Sequence, residues 1–190
     1  MNKPIDISAV ILQTPRLTLR SWRETDLDDF FEYACVDGVG QMAGWLPHKS
    51  KEETARILNS FITHRKTFAL EFGGKVIGSL GIETYNEEKF PELASLQGRS
   101  IGYVLSKDYW GRGLMPEAVQ AVIRYLFQSE QLDFIHVSHF VWNRQSQSVI
   151  RKCGFSPVKE TIHQTHYQTE EPAVENLLFR SEWRNQHADT

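Results

Sequence analysis

The sequence contains few cysteines and no long apolar segment. Only Cys35 and Cys153 are present, and they lie far apart in segments predicted to be helical. This disfavours a disulfide framework. No stretch of about 18 or more apolar residues is present, and residues 1–7 lack the apolar core and cleavage site of a signal peptide. The sequence therefore predicts a cytoplasmic protein that does not interact with membranes.

An excess of charge of one sign is also lacking. The formal net charge is −3, which provides no basic surface to attract nucleic acid. Hydrophobic residues make up 41% of the chain and charged residues 24%, as in globular proteins. A chain of 190 residues can bury about 70% of its unfolded surface. We therefore predict a single domain over residues 10–182, with terminal tails at 1–9 and 183–190.

The most informative segment has the pattern of a strand, a turn and a helix. Its first part is a run of β-branched, aromatic and aliphatic residues from Ile101 to Leu105. Its last part, Val119 to Phe127, repeats apolar residues with the spacing of one helix face. Between them, the glycines of Gly111-Arg112-Gly113 permit a tight turn and expose backbone N–H groups at the start of the helix. This arrangement indicates a site for an anion such as phosphate.

Other phosphate-binding motifs can be compared with this turn by their spacing. A P-loop requires Gly-x-x-x-x-Gly-Lys-Ser/Thr, which the segment lacks. A dinucleotide-binding fingerprint requires a third glycine at the position that Pro116 occupies. Both motifs are disfavoured, and a nucleotide-binding protein with them. A turn whose glycines serve only the backbone geometry remains an alternative.

Local patterns predict several of the remaining elements. Gly73-Gly74 separates two strand-like segments, which is a strong signal for a β-hairpin because both turn positions can adopt positive φ. Residues 25–28 and 50–53 resemble capping boxes that begin two helices. Residues 155–180 are predicted to form two closing strands around a turn at Glu170-Glu171-Pro172.

Two segments resemble a known family. Tyr-Trp-Gly-Arg-Gly-Leu-Met-Pro-Glu-Ala, residues 109–118, lies between a strand and an amphipathic helix and resembles the acetyl-coenzyme A pyrophosphate loop of the GNAT acyltransferase superfamily. Its Tyr-Trp-Gly-x-Gly form is similar to the branch that acetylates the N-termini of ribosomal proteins. The pattern Asn-x-x-Ser-x-x-Val-x-x-x-x-Gly-Phe, residues 143–155, also resembles the superfamily, and it follows Gly113 by 30 residues. Together the resemblance covers nearly all of residues 12–182.

The resemblance implies an α/β (α+β) GNAT fold with a mixed, mostly antiparallel central sheet. It implies about seven strands and about four helices, with the sheet splayed between the fourth and fifth strands. The closing helix of the second segment would be capped by Asn143 and ended by Gly154.

The resemblance also implies acetyl-CoA as a cosubstrate and no metal. Backbone groups near Val104, Leu105 and Ser106 would hold the pantetheine arm and the acetyl carbonyl. The phosphates would lie on the N–H groups of one continuous loop, with a guanidinium adding charge. The residues of that loop are Trp110, Gly111, Arg112, Gly113, Leu114 and Met115, and Asn143 completes the cofactor-binding set.

The acid that protonates the departing thiolate does not follow the commonest pattern. Many members of the superfamily carry a tyrosine seven residues after the asparagine, but here that position is Ile150. Three residues after Asn143 stands Ser146, at the position where the ribosomal-protein branch carries a serine proposed for this role. A serine that only bonds to the helix backbone is an open alternative.

The candidate general base is Glu83, which ends an apolar strand-like segment and could face the acceptor groove. A solvated carboxylate at a strand end is the alternative. His136 and His139 lie on one predicted strand at an odd separation, so their side chains point to opposite faces and cannot readily share a metal.

The predicted function is transfer of an acetyl group from acetyl-CoA to a primary amine, such as the N-terminal α-amine of a ribosomal protein. The alternatives are an acetyltransferase for small amines and a non-catalytic coenzyme A-binding module, which the absent tyrosine permits. Both a monomer and a homodimer are compatible with the sequence. The loops around Trp45, Asn86 and Thr169 would line the acceptor groove but follow no readable code, and Trp45 is expected to pack.

Overall fold

A mixed sheet of eight strands forms the centre of the computed structural model, which describes residues 1–186. Its strands are β1 (Leu12–Gln13), β2 (Thr18–Ser21), β3 (Thr67–Phe72), β4 (Lys75–Glu83), β5 (Gly98–Leu105), β6 (Phe134–Phe140), β7 (Ser156–Gln164) and β8 (Glu170–Phe179). Its α-helices are α1 (Leu27–Ala34), α2 (Lys51–His64), α3 (Leu114–Gln128), α4 (Arg144–Lys152) and α5 (Arg180–Gln186). Short 3-10 turns occur at 24–26, 40–43, 87–89, 91–93 and 107–109.

The predicted hairpin between β3 and β4 is present. Gly73 and Gly74 have φ of +59° and +83°, which other residues adopt only with strain. Such a two-residue turn matches the twist of the strands that it joins. The hairpin places β3 and β4 in the middle of the strand order β1-β2-β3-β4-β5-β6-β8-β7.

Strands β5 and β6 form the parallel pair of this sheet, and they are in contact over a short distance. Gly98 to Ser100 pair with Phe134 to His136, whereas the pairing of β5 with β4 continues as far as Leu105. Beyond Ser100 and His136 the two strands therefore separate and leave a gap. This confirms the predicted splay, which lies between β5 and β6 because β1 adds one strand to the predicted seven.

Helices cover both faces of the sheet and divide its core. On one face, α3 and α4 bury the larger apolar cluster, to which Ile101 of β5 and Ile150 of α4 belong. On the other face, α1 and α2 bury a smaller cluster that includes Val104. Because side chains alternate along a strand, odd-numbered residues of β5 face α3 and α4, and even-numbered residues face the opposite side.

Three elements differ from the prediction. β1 has two residues and α5 has seven, and both are too short to produce a clear periodicity. The predicted turn at Glu170-Glu171-Pro172 was wrong, because these residues lie within β8. The turn is instead formed by residues 165–169, where Thr165 N–H donates to the Thr169 carbonyl at 2.9 Å. Pro172 is tolerated in β8 because its backbone faces Val141, just past the end of β6.

The terminal segments lie against the domain. Within residues 1–9, predicted as a tail, Ile7 is fully buried and its N–H donates to the Arg65 carbonyl at 2.8 Å. At the other end, Trp183 of α5 packs against Phe127, with 5.6 Å between the ring centroids. The remainder of the predicted C-terminal tail, residues 187–190, lies outside the described residues.

Candidate active site

The gap between β5 and β6 opens into a cleft of about 220 Å³ at the start of α3 and α4. Nine of the residues predicted for the site line this cleft: Val104, Leu105, Trp110, Gly111, Gly113, Leu114, Met115, Asn143 and Ser146. The structure thus brings together two motifs that are 30 residues apart in the sequence. Three predicted residues, Ser106, Arg112 and Glu83, are not among the residues that line it.

The glycine turn shapes the wall of the cleft next to α3. Gly111 and Gly113 both adopt positive φ, at +72° and +74°. Gly113 is the N-cap of α3 and provides no side chain to cap the helix, so the backbone N–H groups of the first turn stay available to a ligand. A helix N-terminus of this kind attracts negative charge.

Arg112 does not point into the cleft. Its guanidinium packs over the rings of Phe72 and Tyr109, at 5.1 and 5.3 Å from their centroids. The cation that lines the cleft is Lys152 at the end of α4, which the sequence analysis missed. Among residues 1–186, the Lys152 ammonium has no ion-pair partner. Its exposed side chain is therefore free to meet an anion.

The backbone of β5 presents polar groups to the gap. Ser106 N–H donates toward β4, to the Ile77 carbonyl at 2.8 Å. Because successive residues of a strand alternate in direction, the N–H and C=O groups of Tyr103 and Leu105 face the gap toward β6. The Leu105 carbonyl accepts from Trp110 Nε1 at 2.8 Å, which fixes the indole at the mouth of the cleft. Among residues 1–186, no strand pairs with the gap-facing side of β5 at Tyr103.

Asn143 holds the start of α4 in place. Its Oδ1 accepts from Ser146 N–H at 3.0 Å, which confirms the predicted N-cap. Its Nδ2 donates to the Met42 carbonyl at 3.1 Å and so connects α4 to the loop that follows α1. The side chain is buried and both ends of its amide are bonded. Asn143 therefore positions the cleft, and Ser146 is not the residue that caps the helix.

Tyr103 is a second residue of the site, besides Lys152, that the sequence analysis missed. Its hydroxyl lies 2.9 Å from Ser146 Oγ, and the two groups share a hydrogen bond in the cleft. Burial raises the pKa of Tyr103 well above its usual range, so the phenol is protonated at neutral pH. The position that commonly carries a tyrosine, Ile150, is buried in the core. A phenol therefore reaches this site from β5 instead of from α4.

Glu83 lies at the far end of β4 from the cleft. It pairs with Ser100, near the parallel contact of β5 and β6, and its carboxylate forms an ion pair with Lys66. The structure does not bring Glu83 next to Ser146 or the glycine turn. The ion pair with Lys66 engages Oε2 of this carboxylate.

Two of the three predicted acceptor loops meet. The turn between β7 and β8 contacts the loop between α1 and α2, where His166 N–H donates to the Gly44 carbonyl at 2.8 Å. In the same loop Trp45 packs against Gly40, where an added Cβ would lie 2.1 Å from the indole ring. Asn86 instead caps the 3-10 turn at 87–89, where its Oδ1 accepts from Glu88 N–H at 2.9 Å.

His136 and His139 face opposite sides of β6, as predicted. His136 bonds to Glu175, and His139 Nδ1 lies 3.2 Å from Asn176 Nδ2. Within residues 1–186, no group of three or more His, Cys, Asp or Glu side chains could hold a metal ion. In the same part of the chain, no helix has the length and apolar character to cross a bilayer.

A family model described as an acetyltransferase (GNAT) domain matches residues 16–156. The chain belongs to the GNAT acetyltransferase family. It is 27% identical over 176 residues to the uncharacterized N-acetyltransferase p20 of Bacillus licheniformis, which covers 88% of this chain and 93% of that protein. The match therefore extends over almost the whole of this GNAT relative.

Other GNAT proteins carry more specific names. The [ribosomal protein uS5]-alanine N-acetyltransferase of Escherichia coli (strain K12) is 27% identical over 85 residues, which is 45% of this chain and 38% of that protein. A solved structure of a ribosomal L7/L12 alpha-N-protein acetyltransferase in complex with coenzyme A superposes with a TM-score of 0.72 at 17% identity. The superposition covers 90% of this chain and 98% of the chain in the solved structure. At this identity the superposition shows the shared GNAT fold.

Proposed function

We propose that the protein transfers the acetyl group of acetyl-CoA to the N-terminal α-amine of a protein. The observation that carries this proposal is the gap between β5 and β6, which opens into the cleft between the glycine turn and the start of α4. An extended thioester fits such a gap, because unpaired backbone groups of β5 face it. The names of the two ribosomal-protein acetyltransferases support a protein acceptor over a small amine.

Each part of the cofactor has a matching group in the cleft. The N–H groups from Gly111 to Met115, at the start of α3, suit the pyrophosphate, and Lys152 adds a positive charge. The predicted Trp110 N–H does not belong to this set, because it donates to the Lys107 carbonyl at 3.1 Å. Leu105 and Val104 line the cleft beside Tyr103, whose gap-facing backbone suits the pantetheine arm and the acetyl carbonyl. When acetyl-CoA is bound, it supplies a thioester that is activated toward an amine.

The proton for the departing thiolate comes from Ser146 in this proposal. Its hydroxyl lies in the cleft and shares a hydrogen bond with Tyr103. The protonated phenol of Tyr103 can return a proton to Ser146 after Ser146 has donated its own. A serine without such a neighbour would have to take this proton from solvent. Tyr103 therefore acts through Ser146 as a positioning residue and proton source.

A panel of acceptors tests the proposed function. Release of free thiol from acetyl-CoA is followed with peptides that begin with Ala or Ser, and with the same peptides blocked at the α-amine. Turnover with free but not blocked peptides is the expected result. Turnover with small amines alone would favour the small-molecule alternative. Binding of coenzyme A without thiol release for any amine would favour the non-catalytic module.

A further inference from the structure

A chain of three side chains lies on the sheet face opposite Ser146. Ser100 Oγ is 2.9 Å from His136 Nδ1, and His136 Nε2 is 2.7 Å from Glu175 Oε2. His136 and Glu175 are buried, with 7% and 3% of their surface exposed, whereas Ser100 is half-buried. The three residues come from β5, β6 and β8, so the sheet holds them in a fixed order.

This chain ends at the point where the gap begins. Ser100 and His136 are the last paired residues of β5 and β6. At Gly102, the next residue of β5 on the same face, no atom of residues 1–186 outside its two chain neighbours lies within 4 Å of the position where a Cβ would be. The Ser100 hydroxyl therefore borders open space on the face of the sheet opposite Tyr103 and Ser146.

We propose that Ser100, His136 and Glu175 form a proton relay that accepts the proton of the acceptor amine. This inference rests on the proposed function, which requires a proton acceptor for the attacking amine. It places proton removal where the gap begins, about 10 Å along β5 from Tyr103, and thiolate protonation at Ser146 on the other face of the sheet, so water in the gap carries the proton from the amine to Ser100.

The protonation states follow from the contacts. Burial would raise the pKa of Glu175, but the hydrogen bonds from His136 and Lys89 hold it below its ordinary value. An ionised carboxylate only accepts hydrogen bonds, so His136 Nε2 carries a proton toward Glu175, and in the neutral tautomer that the relay uses Nδ1 is an acceptor. Ser100 then donates its hydroxyl proton to Nδ1 and keeps its lone pairs for the water that carries the amine proton.

The proton transfers balance. At pH 7 the acceptor arrives as an ammonium, and one of its protons passes through a water molecule to Ser100 Oγ while the serine proton passes to His136 Nδ1. The neutral amine then bonds to the acetyl carbon, the carbon–sulfur bond breaks, and the second amine proton leaves to solvent. Glu175 stabilises the imidazolium that results, as an acidic residue does in serine hydrolases. The thiolate takes its proton from Ser146 on the other face. Solvent then removes the proton from His136 and returns a proton to the Tyr103 and Ser146 pair.

Other charged groups surround the relay, and they are partly paired. Lys89 lies 3.1 Å from Glu175 Oε1, and Lys159 lies 4.0 Å from the centroid of the Phe90 ring that packs on His136. On the β4 side, Glu83 is bound to Lys66. His163 of β7 is also close enough to sense the charges of Lys89 and Glu175.

The test compares two histidines of β6. His136→Gln keeps a donor for Glu175 but cannot accept a proton, and His139→Gln is the matched control because His139 is equally buried, at 7% exposed, on the opposite face. We expect His136→Gln and Ser100→Ala each to lower kcat/KM at pH 7 by about tenfold, because about a tenth of an α-amine with a pKa near 8 is already neutral at this pH. The loss should shrink above pH of about 8, where the acceptor α-amine is already neutral. His139→Gln should retain the parent profile, and all variants should retain the thermal shift with coenzyme A.

Several results would overturn the relay. If the parent turns over and His136→Gln stays within about threefold of it, or loses the same factor at every pH, His136 accepts no proton and the acetyltransferase assignment survives alone. A pH-dependent loss in Glu83→Gln instead would make Glu83 the base. A parent that binds coenzyme A but acetylates no amine would overturn the proposed function and the relay together. Failure of His136→Gln to fold leaves Ser100→Ala to decide.

Discussion

Removing the Ser146 hydroxyl tests the proposed proton donor and its hydrogen bond with Tyr103. In Ser146→Ala the phenol of Tyr103 loses its partner at 2.9 Å and retains only the Ser146 carbonyl at 3.4 Å. A largely unsatisfied, partly buried hydroxyl costs about 1–2 kcal/mol in the free energy of unfolding. The start of α4 should not contribute, because Asn143 caps the helix in both proteins.

Tyr103→Phe removes the other partner of the same hydrogen bond. Ser146 lines the cleft and can bond to water, so this change should cost less, about 0.5–1 kcal/mol. The double variant should be about 1 kcal/mol more stable than the sum of the single changes predicts. Urea denaturation of the four proteins measures this coupling. Additive effects would mean that the two hydroxyls are not bonded in solution.

Turnover separates a catalytic contact from a structural one. Ser146→Ala should slow thiol release by about 10²-fold, with little change in coenzyme A affinity because no phosphate contact is lost. Tyr103→Phe should cause a smaller loss, because the phenol acts through Ser146. Turnover of Ser146→Ala within about threefold of the parent would remove Ser146 from the mechanism and leave the thiolate to be protonated by water.

Three further predictions concern other parts of the molecule. Coenzyme A at a hundredfold excess over its dissociation constant should stabilise the fold by about 2.7 kcal/mol. Gly113→Glu should abolish the resulting thermal shift, because it places a negative charge at the start of α3, and an unchanged shift would mean that the cofactor binds elsewhere. Gly98→Ala should cost at least about 2 kcal/mol in urea denaturation, because an added Cβ would lie 2.2 Å from the ring of the buried Phe134; a stable variant would contradict the close contact of β5 and β6. Burial raises the pKa of Cys153 to about 12, so little of it is thiolate at neutral pH. Alkylation followed by mass spectrometry should therefore label the exposed Cys35 first, and equal labelling of the two cysteines would contradict the burial of Cys153.

Features that depend on neighbouring residues could be predicted from the sequence. The turn at Gly73-Gly74 requires positive φ at both positions, and the cap by Asn143 involves residues three apart, so each leaves a local pattern. The resemblance of two motifs then predicted the sheet and its splay. The turn after β7 was misplaced because Glu-Glu-Pro is a common turn composition, and nothing in the sequence indicates that Pro172 lies past the end of β6.

Contacts between distant segments could not be predicted in this way. Tyr103 and Ser146 are 43 residues apart, and within its strand Tyr103 follows the same pattern as its apolar neighbours. The Ser100 and His136 contact depends on the register of a parallel pair, which is set by tertiary packing. Arg112 shows the reverse case. Its position beside the glycine turn suggests a phosphate ligand, but its guanidinium packs on the rings of Phe72 and Tyr109 instead.

The alternation of side chains along β5 makes the site sensitive to changes in chain length. Ser100 and Tyr103 are three residues apart and therefore face opposite sides of the sheet. Inserting or deleting one residue between them would put both hydroxyls on the same side and separate one of them from its partner. A two-residue insertion would preserve the faces but shift Tyr103 by about 7 Å along the strand, away from Ser146. Homologous chains that keep this chemistry should therefore vary in the loops around β5 and keep the spacing within it.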